Sequence, residues 1–161
     1  MATSLGKFLA DNRIRLAFGG GDMGLMGSVS RAVKSAGGEV LGVIPGHLHH
    51  ESSLVCENDE LIVVDSMYRR KQKMYDLADA FLVLPGGIGT IEEAFETWTW
   101  SQLGLHTKPI GLLNIEDFFD ELLAFLDTML NRGFIKSHHR ALLHVDSKIE
   151  SLIQKLGYAS K

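Results

Sequence analysis

Short apolar runs alternate with longer stretches of helical period along the whole sequence, and that alternation leaves few folds open. Runs at 15–18, 40–44, 61–64, 80–84, 110–114 and 142–145 read as strands, because each is brief, apolar and bounded by turn-forming residues. Stretches at 25–35, 67–77, 90–103, 118–131 and 148–156 carry the helical spacing of apolar residues. Gly37 and Gly38 stop the first of these helices, Pro45 and Gly46 stop the second strand, and Gly133 ends the helix at 118–131. The segment 47–59 reads as a polar loop. Strands that take turns with helices predict βαβ units and a mainly parallel sheet. Its crossovers should be right-handed, and helices on both faces make a three-layer α/β sandwich. The nearly continuous apolar strands fit a sheet covered on both faces. The 161 residues contain no linker, repeat or low-complexity tract, so a single domain, 1–161, is expected.

Ligands of such sheets bind beyond the carboxyl ends of the strands, and two glycine-rich loops fall there. The first is Gly19-Gly20-Gly21-Asp22-Met23-Gly24 and the second is Pro85-Gly86-Gly87-Ile88-Gly89-Thr90. Each follows a strand and opens a helix. Glycine admits close backbone approach, and a helix N-terminus offers free N–H groups and partial positive charge, which together suit a phosphate. The Thr90 hydroxyl would add a donor. Either loop alone reads equally as a tight turn; two at one sheet edge point to a ligand. Neither continues into the Gly-Lys-Ser/Thr of a P-loop, and the first lacks the spaced glycines of a dinucleotide fingerprint.

Glu92 and Glu93 follow the second loop. In a first helical turn they would favour the helix dipole; alternatively one of them faces the ligand, since adjacent helical residues point about 100° apart. Arg69, Arg70 and Lys71 open another helix, where cations oppose the dipole unless a carboxylate or bound phosphate offsets them. Arginine suits bidentate contacts to phosphate or carboxylate. His47, His49 and His50 match no zinc spacing, so no metal site is expected. His138 and His139 read as surface residues, and His106 falls in the turn after the 90–103 helix. Phe95, Trp98 and Trp100 have the spacing of core or interface residues.

Composition narrows the partners. A formal net charge of −4 argues against a nucleic-acid surface. No apolar run approaches the ~20 residues that span a membrane, and no secretory pattern opens the chain. Cys56 is the only cysteine, which excludes an internal disulfide and suits a reducing cytosol.

Taken together, these motifs resemble the LOG ("lonely guy") family of cytokinin riboside 5′-monophosphate phosphoribohydrolases, whose members often carry a lysine decarboxylase label. Pro85-Gly86-Gly87-Ile88-Gly89-Thr90-Ile91-Glu92-Glu93 matches the family's PGGxGTxxE signature. Gly19-Gly20-Gly21 with Gly24-Leu25-Met26-Gly27 resembles its GGGxxGLMG, and Gly42-Val43-Ile44-Pro45 its GVIP. Met67-Tyr68-Arg69-Arg70-Lys71 is similar to its MHxRK, with Tyr68 where histidine is usual. Further matches run from Ala78 to Phe81, from Gln102 to His106 and from Lys108 to Asn114, so the resemblance covers nearly the whole chain.

The resemblance implies a Rossmann-like fold and a specific chemistry. Arg70 and Glu93 fall on the family's catalytic positions. Gly86, Gly87, Gly89 and Thr90 fall on its phosphate-binding loop, and Gly20, Gly21 and Lys71 complete the nucleotide pocket. The expected substrate is a purine or cytokinin nucleoside 5′-monophosphate, with no cofactor, and the short members of the family are usually homodimers. Glu93 would stabilise oxocarbenium character on the ribose or activate water, and Arg70 would orient Glu93 or the ligand. Family members begin with a strand and a Gly-Ser-Ser loop before the first helix; residues 5–11 resemble the end of that helix, so a sheet lacking the family's first strand is expected. A non-catalytic carrier of nucleotide or molybdenum cofactor is the alternative. The decarboxylase label would require pyridoxal phosphate on a Schiff-base lysine, and no lysine here has that setting.

Overall fold

A computed structural model describes residues 1–49 and 60–158. The chain divides into two compact units, Met1–Ala78 and Asp79–Lys161, each built on its own three-stranded parallel sheet.

The first unit runs α1 (Ala2–Asp11), β1 (Leu16–Phe18), α2 (Gly24–Ser35), β2 (Val40–Pro45), β3 (Glu60–Val64) and α3 (Met67–Leu77). Its strand order is β1-β2-β3, with Leu16 opposite Val40 and Leu41 opposite Glu60. All six residues of β2 are buried, as expected of a central parallel strand covered on both faces. Leu5 and Leu9 of α1 are buried, as are Val29 and Val33 of α2. Gly6 lets these two helices meet closely: a Cβ at that position would stand 2.4 Å from the Ala32 Cβ.

The second unit runs β4 (Phe81–Val83), α4 (Ile88–Gln102), β5 (Ile110–Leu113), α5 (Asp120–Asn131), α6 (Ser137–Arg140), β6 (Leu143–Asp146) and α7 (Ile149–Lys155). Its order is β4-β5-β6, all parallel. Alternation along β5 puts helices on both faces of this sheet. Ile110 and Leu112 join a core with Trp98 of α4 and Leu126 of α5, while Gly111 lies against Leu152 of α7.

The α/β architecture and the six parallel strands agree with the sequence reading. No strand precedes α1 among the described residues, and β1 and β4 each pair with one neighbour. Part of the 47–59 loop, with His50 and Cys56, lies outside the described residues; Gly46–Leu48 forms a 3₁₀ turn.

Two expected helix boundaries need correction, and one short helix is new. The helix expected at 90–103 begins at Ile88, two residues earlier. The helix expected at 118–131 begins at Asp120, because Glu116 and Asp117 take left-handed backbone at φ 52° and 56°. There the Asn114 side chain accepts the Phe119 N–H at 2.8 Å and donates to Asp120 Oδ1 at 2.7 Å. The four-residue helix α6 was not anticipated, being too short to show a period. No helix among the described residues is long and apolar enough to cross a membrane.

Candidate functional site

In the first unit, β1 ends at Phe18 and delivers the chain into the first glycine loop. Gly19 and Gly20 are buried, and Gly20 adopts φ 75°, a left-handed conformation that favours glycine. Gly21 is half-buried and lies against the Met26 methyl group. Position 19 is the seat of Arg70. A Cβ there would fall 1.8 Å from Arg70 Nη2, so the guanidinium occupies the volume that glycine leaves open. Arg70 Nε donates to the Val43 carbonyl at 3.3 Å, and Nη1 lies 3.9 Å from the Met67 sulfur. Gly19, Gly20 and Arg70 therefore come together at the carboxyl ends of β1 and β2, the sheet edge where α/β folds bind ligands.

The start of α3 explains how a basic cluster is tolerated there. The Ser66 hydroxyl accepts the Arg69 N–H at 3.3 Å and donates to Asp65 Oδ1 at 2.9 Å. Asp65 sets a carboxylate at the positive end of the helix. Arg69 Nη1 donates to Gln72 Oε1 at 3.0 Å. Lys71 is half-buried and, one residue on from Arg70, points about 100° away around the helix. An open groove of about 360 Å³ lies along α3, lined by Val64, Asp65, Arg69, Gln72, Lys73 and Asp76. None of the expected site residues lines it.

In the second unit, the other glycine loop leads from β4 into α4. Gly87 is the N-cap, with extended backbone at φ −87° and ψ −163°. The first turn contains Ile88, Gly89 and Thr90, and its N–H groups have no partner within the helix itself. Gly87 and Gly89 are exposed, nothing lies within 4 Å of a Cβ at either position, and Ile88 is 89% exposed. The positive end of a 15-residue helix is thus open to approach. Gly86 serves a different purpose. A Cβ there would stand 2.3 Å from Thr90 Oγ1, so its absence lets the Thr90 side chain fold back over the loop.

Because α4 begins at Ile88, Glu92 and Glu93 lie in its second turn, and the first turn has no acidic residue. This removes dipole capping as their explanation. Glu92 is exposed and Glu93 half-buried. Glu93 is three residues from Thr90 and four from Gly89, hence on their face of the helix, and its Cα–Cβ bond leans toward the loop.

Other candidates have structural tasks. Trp98 is 6% exposed and its indole N–H donates to the His139 carbonyl at 2.8 Å. Phe95 meets Trp98 edge-on. His106 accepts the Lys108 N–H at Nδ1, 3.1 Å, which leaves Nε2–H to donate to the Thr97 carbonyl at 2.9 Å. It ties the end of α4 to the approach to β5. His138 is exposed and His139 half-buried, their rings 4.1 Å apart. Partial burial, then the neighbouring His138 and Lys136, lower the His139 pKa. His47 and His49 are exposed, and no three His, Cys, Asp or Glu side chains gather as a metal site among the described residues.

Two contributors escaped the sequence reading. The Gly19-Gly20-Gly21 triplet signalled a close approach but not that Arg70 makes it. Nothing in the sequence marks the Val43 carbonyl as the anchor of that arginine.

A family model described as "Possible lysine decarboxylase" matches residues 26–156. The chain is 44% identical over 155 residues to the cytokinin riboside 5′-monophosphate phosphoribohydrolase LOG2 of Arabidopsis thaliana, covering 96% of this chain and 73% of that protein. It is 45% identical to a probable enzyme of the same description, LOGL9, from Oryza sativa subsp. japonica, covering 96% and 68%. Among solved structures, the molybdenum cofactor carrier protein of Chlamydomonas reinhardtii shares the fold at TM-score 0.69 and 24% identity, over 98% of this chain and 84% of that one.

Proposed function

We propose, because this chain belongs to the LOG family of cytokinin riboside 5′-monophosphate phosphoribohydrolases, that it hydrolyses the N-glycosidic bond of a purine or cytokinin nucleoside 5′-monophosphate. The products are the free base and ribose 5-phosphate. The observation that best supports an anionic ligand is the seating of Arg70 on Gly19, which fixes a guanidinium at the carboxyl edge of β1 and β2. The open first turn of α4 supports a phosphate in the same way, through N–H groups and the helix dipole.

The roles follow from the chemistry of the bond. Water attacks the anomeric carbon, the bond from carbon to base nitrogen breaks, and the ribose gains oxocarbenium character. We assign Glu93 to stabilise that charge or take the proton of the attacking water. Arg70 and Lys71 supply positive charge that orients the substrate. Gly86, Gly87, Gly89 and Thr90 hold the 5′-phosphate, and Gly20 and Gly21 give the backbone close access to the nucleotide. A remote phosphate contributes by aligning the reacting carbon.

The same reading makes the protein a cytosolic homodimer that acts as one nucleotide-binding domain. It is tested by comparing AMP with adenosine as substrates. Base release from AMP, with kcat/KM for adenosine lower by at least about 100-fold, is expected if the phosphate aligns the substrate. Tight AMP binding by folded protein with no base released would instead favour a carrier.

A further inference from the structure

We infer that a second copy of this chain docks antiparallel on the outer face of α5, with Phe125 near the centre of the contact and Glu121 opposite Arg132 of the other copy. Nothing in this depends on the reaction proposed above. The inner face of α5 is spent on the core of its own unit: Leu126 is fully buried, and Leu122, Leu123 and Met129 pack around it. The outer face of such a helix is ordinarily polar. Here it carries Phe125, 59% exposed, and Phe118 just before the helix is 54% exposed. Glu121, Phe125, Thr128 and Arg132 follow one another at intervals of four, three and four residues, which sets them in one stripe along the helix, and all four are exposed. The Thr128 hydroxyl donates to the Ala124 carbonyl at 3.0 Å, so its polar atom is satisfied within the helix and its methyl group is left for an apolar neighbour.

That spacing is the seam of paired helices, and this seam is complementary to itself. When a second copy is turned end for end about the midpoint between Leu126 and Asp127, Glu121 falls opposite Arg132 and Phe125 opposite Thr128. Two-fold symmetry makes each pairing occur twice. The two charges stand about 16 Å apart along the axis, so an ion pair closes each end of the apolar centre. Parallel pairing would instead set Glu121 beside Glu121 and Arg132 beside Arg132, so the charges select the antiparallel sense. The other carboxylates of the helix are engaged within the chain, Asp120 by the Asn114 amide at 2.7 Å and Asp127 by Arg140 at 3.5 Å. Exposed ion pairs add little affinity, so the charges fix register while the two Phe125 rings supply the attraction. A seam three turns long is a small interface, which predicts a micromolar association.

The test is a charge swap read by sedimentation equilibrium of the full chain. The mass of the unaltered protein should rise with concentration between about 1 and 100 µM. Glu121→Arg alone sets arginine against arginine at both ends of the seam, and Arg132→Glu alone sets glutamate against glutamate. Each should weaken association at least about tenfold, and protein carrying both substitutions should recover it to within a few-fold. Phe125→Ser should also weaken association about tenfold or more. All three positions are exposed, so the melting temperature at the lowest concentration should stay that of the unaltered protein. Substitutions at three separate positions keep the test decisive if one of them fails to fold. Single swaps or Phe125→Ser that associate as the unaltered protein does, or a folded double swap that does not recover, overturn the inference. A dimer indifferent to all of these substitutions would leave the homodimer standing on another face and refute this one alone. A chain that is monomeric at every concentration would refute both.

Discussion

At the scale of single residues, the account turns on what glycine omits. Arg70 is long and flexible, and it reaches the end of β1 only because position 19 has no side chain. Gly19→Ala should therefore displace the guanidinium rather than unfold the protein, since the clashing atom is the far end of a mobile side chain. We expect kcat/KM to fall about tenfold or more with the melting temperature nearly unchanged, measured by steady-state kinetics beside thermal denaturation. Asp146 offers a different test. The Lys155 ammonium bonds to its carboxylate at 2.8 Å, Ser151 donates a second bond, and the Lys148 N–H a third, at 2.9 Å. Together they hold its pKa well below the ordinary carboxylate range. A depressed folded pKa contributes stability above the unfolded value of about 3.9 and loses it as pH falls toward the folded one. Asp146→Asn should thus cost about 1 kcal/mol at neutral pH, and the gap from the unaltered protein should narrow below pH ~4, measured by denaturant titration. Residue types at the loops were legible from the sequence, but their partners were not. The seat of Arg70 depends on contacts with Gly19 and Val43, segments far from it in sequence.

At the scale of elements, apolar period and glycine punctuation were enough to place all six strands and most helices. The 67–77 helix has the bounds that its spacing predicted, with Ser66 as its cap. The misses share a cause, which is local backbone that periodicity does not encode. Residues 88 and 89 were read as part of the glycine-rich loop, yet glycine is tolerable in a first turn, and the earlier start moves Glu93 into the second turn. Left-handed Glu116 and Asp117 delay α5 in the same manner. Close packing gives the element-scale predictions. Gly6→Val would force a branched side chain against Ala32 and should destabilise the α1–α2 pair by about 1–3 kcal/mol. Leu126→Ala, at a fully buried position of the second unit's core, should cost about 2–5 kcal/mol. Both are read by chemical denaturation, and a cost under half a kcal/mol at either site would contradict the packing described.

At the scale of the whole molecule, the chain holds two parallel three-stranded units, each ending its strands in a glycine loop that opens a helix. Fold class was readable from the alternation of elements, while the division into units was not, because no change of composition marks residue 78. If the chain acts as one domain, thermal unfolding followed by near- and far-ultraviolet dichroism should show one coincident transition; two separated transitions would contradict that. The central claim is that this chain breaks the base–ribose bond of a nucleoside 5′-monophosphate and that Glu93 serves the broken bond. The most direct measurement is chromatographic release of free base from AMP and from isopentenyladenosine monophosphate, with Glu93→Gln run beside the unaltered protein. The account predicts base from the unaltered protein and a rate at least about 100-fold lower from Glu93→Gln, as removal of a general base demands. No base from folded unaltered protein, or an undiminished rate from Glu93→Gln, would contradict it.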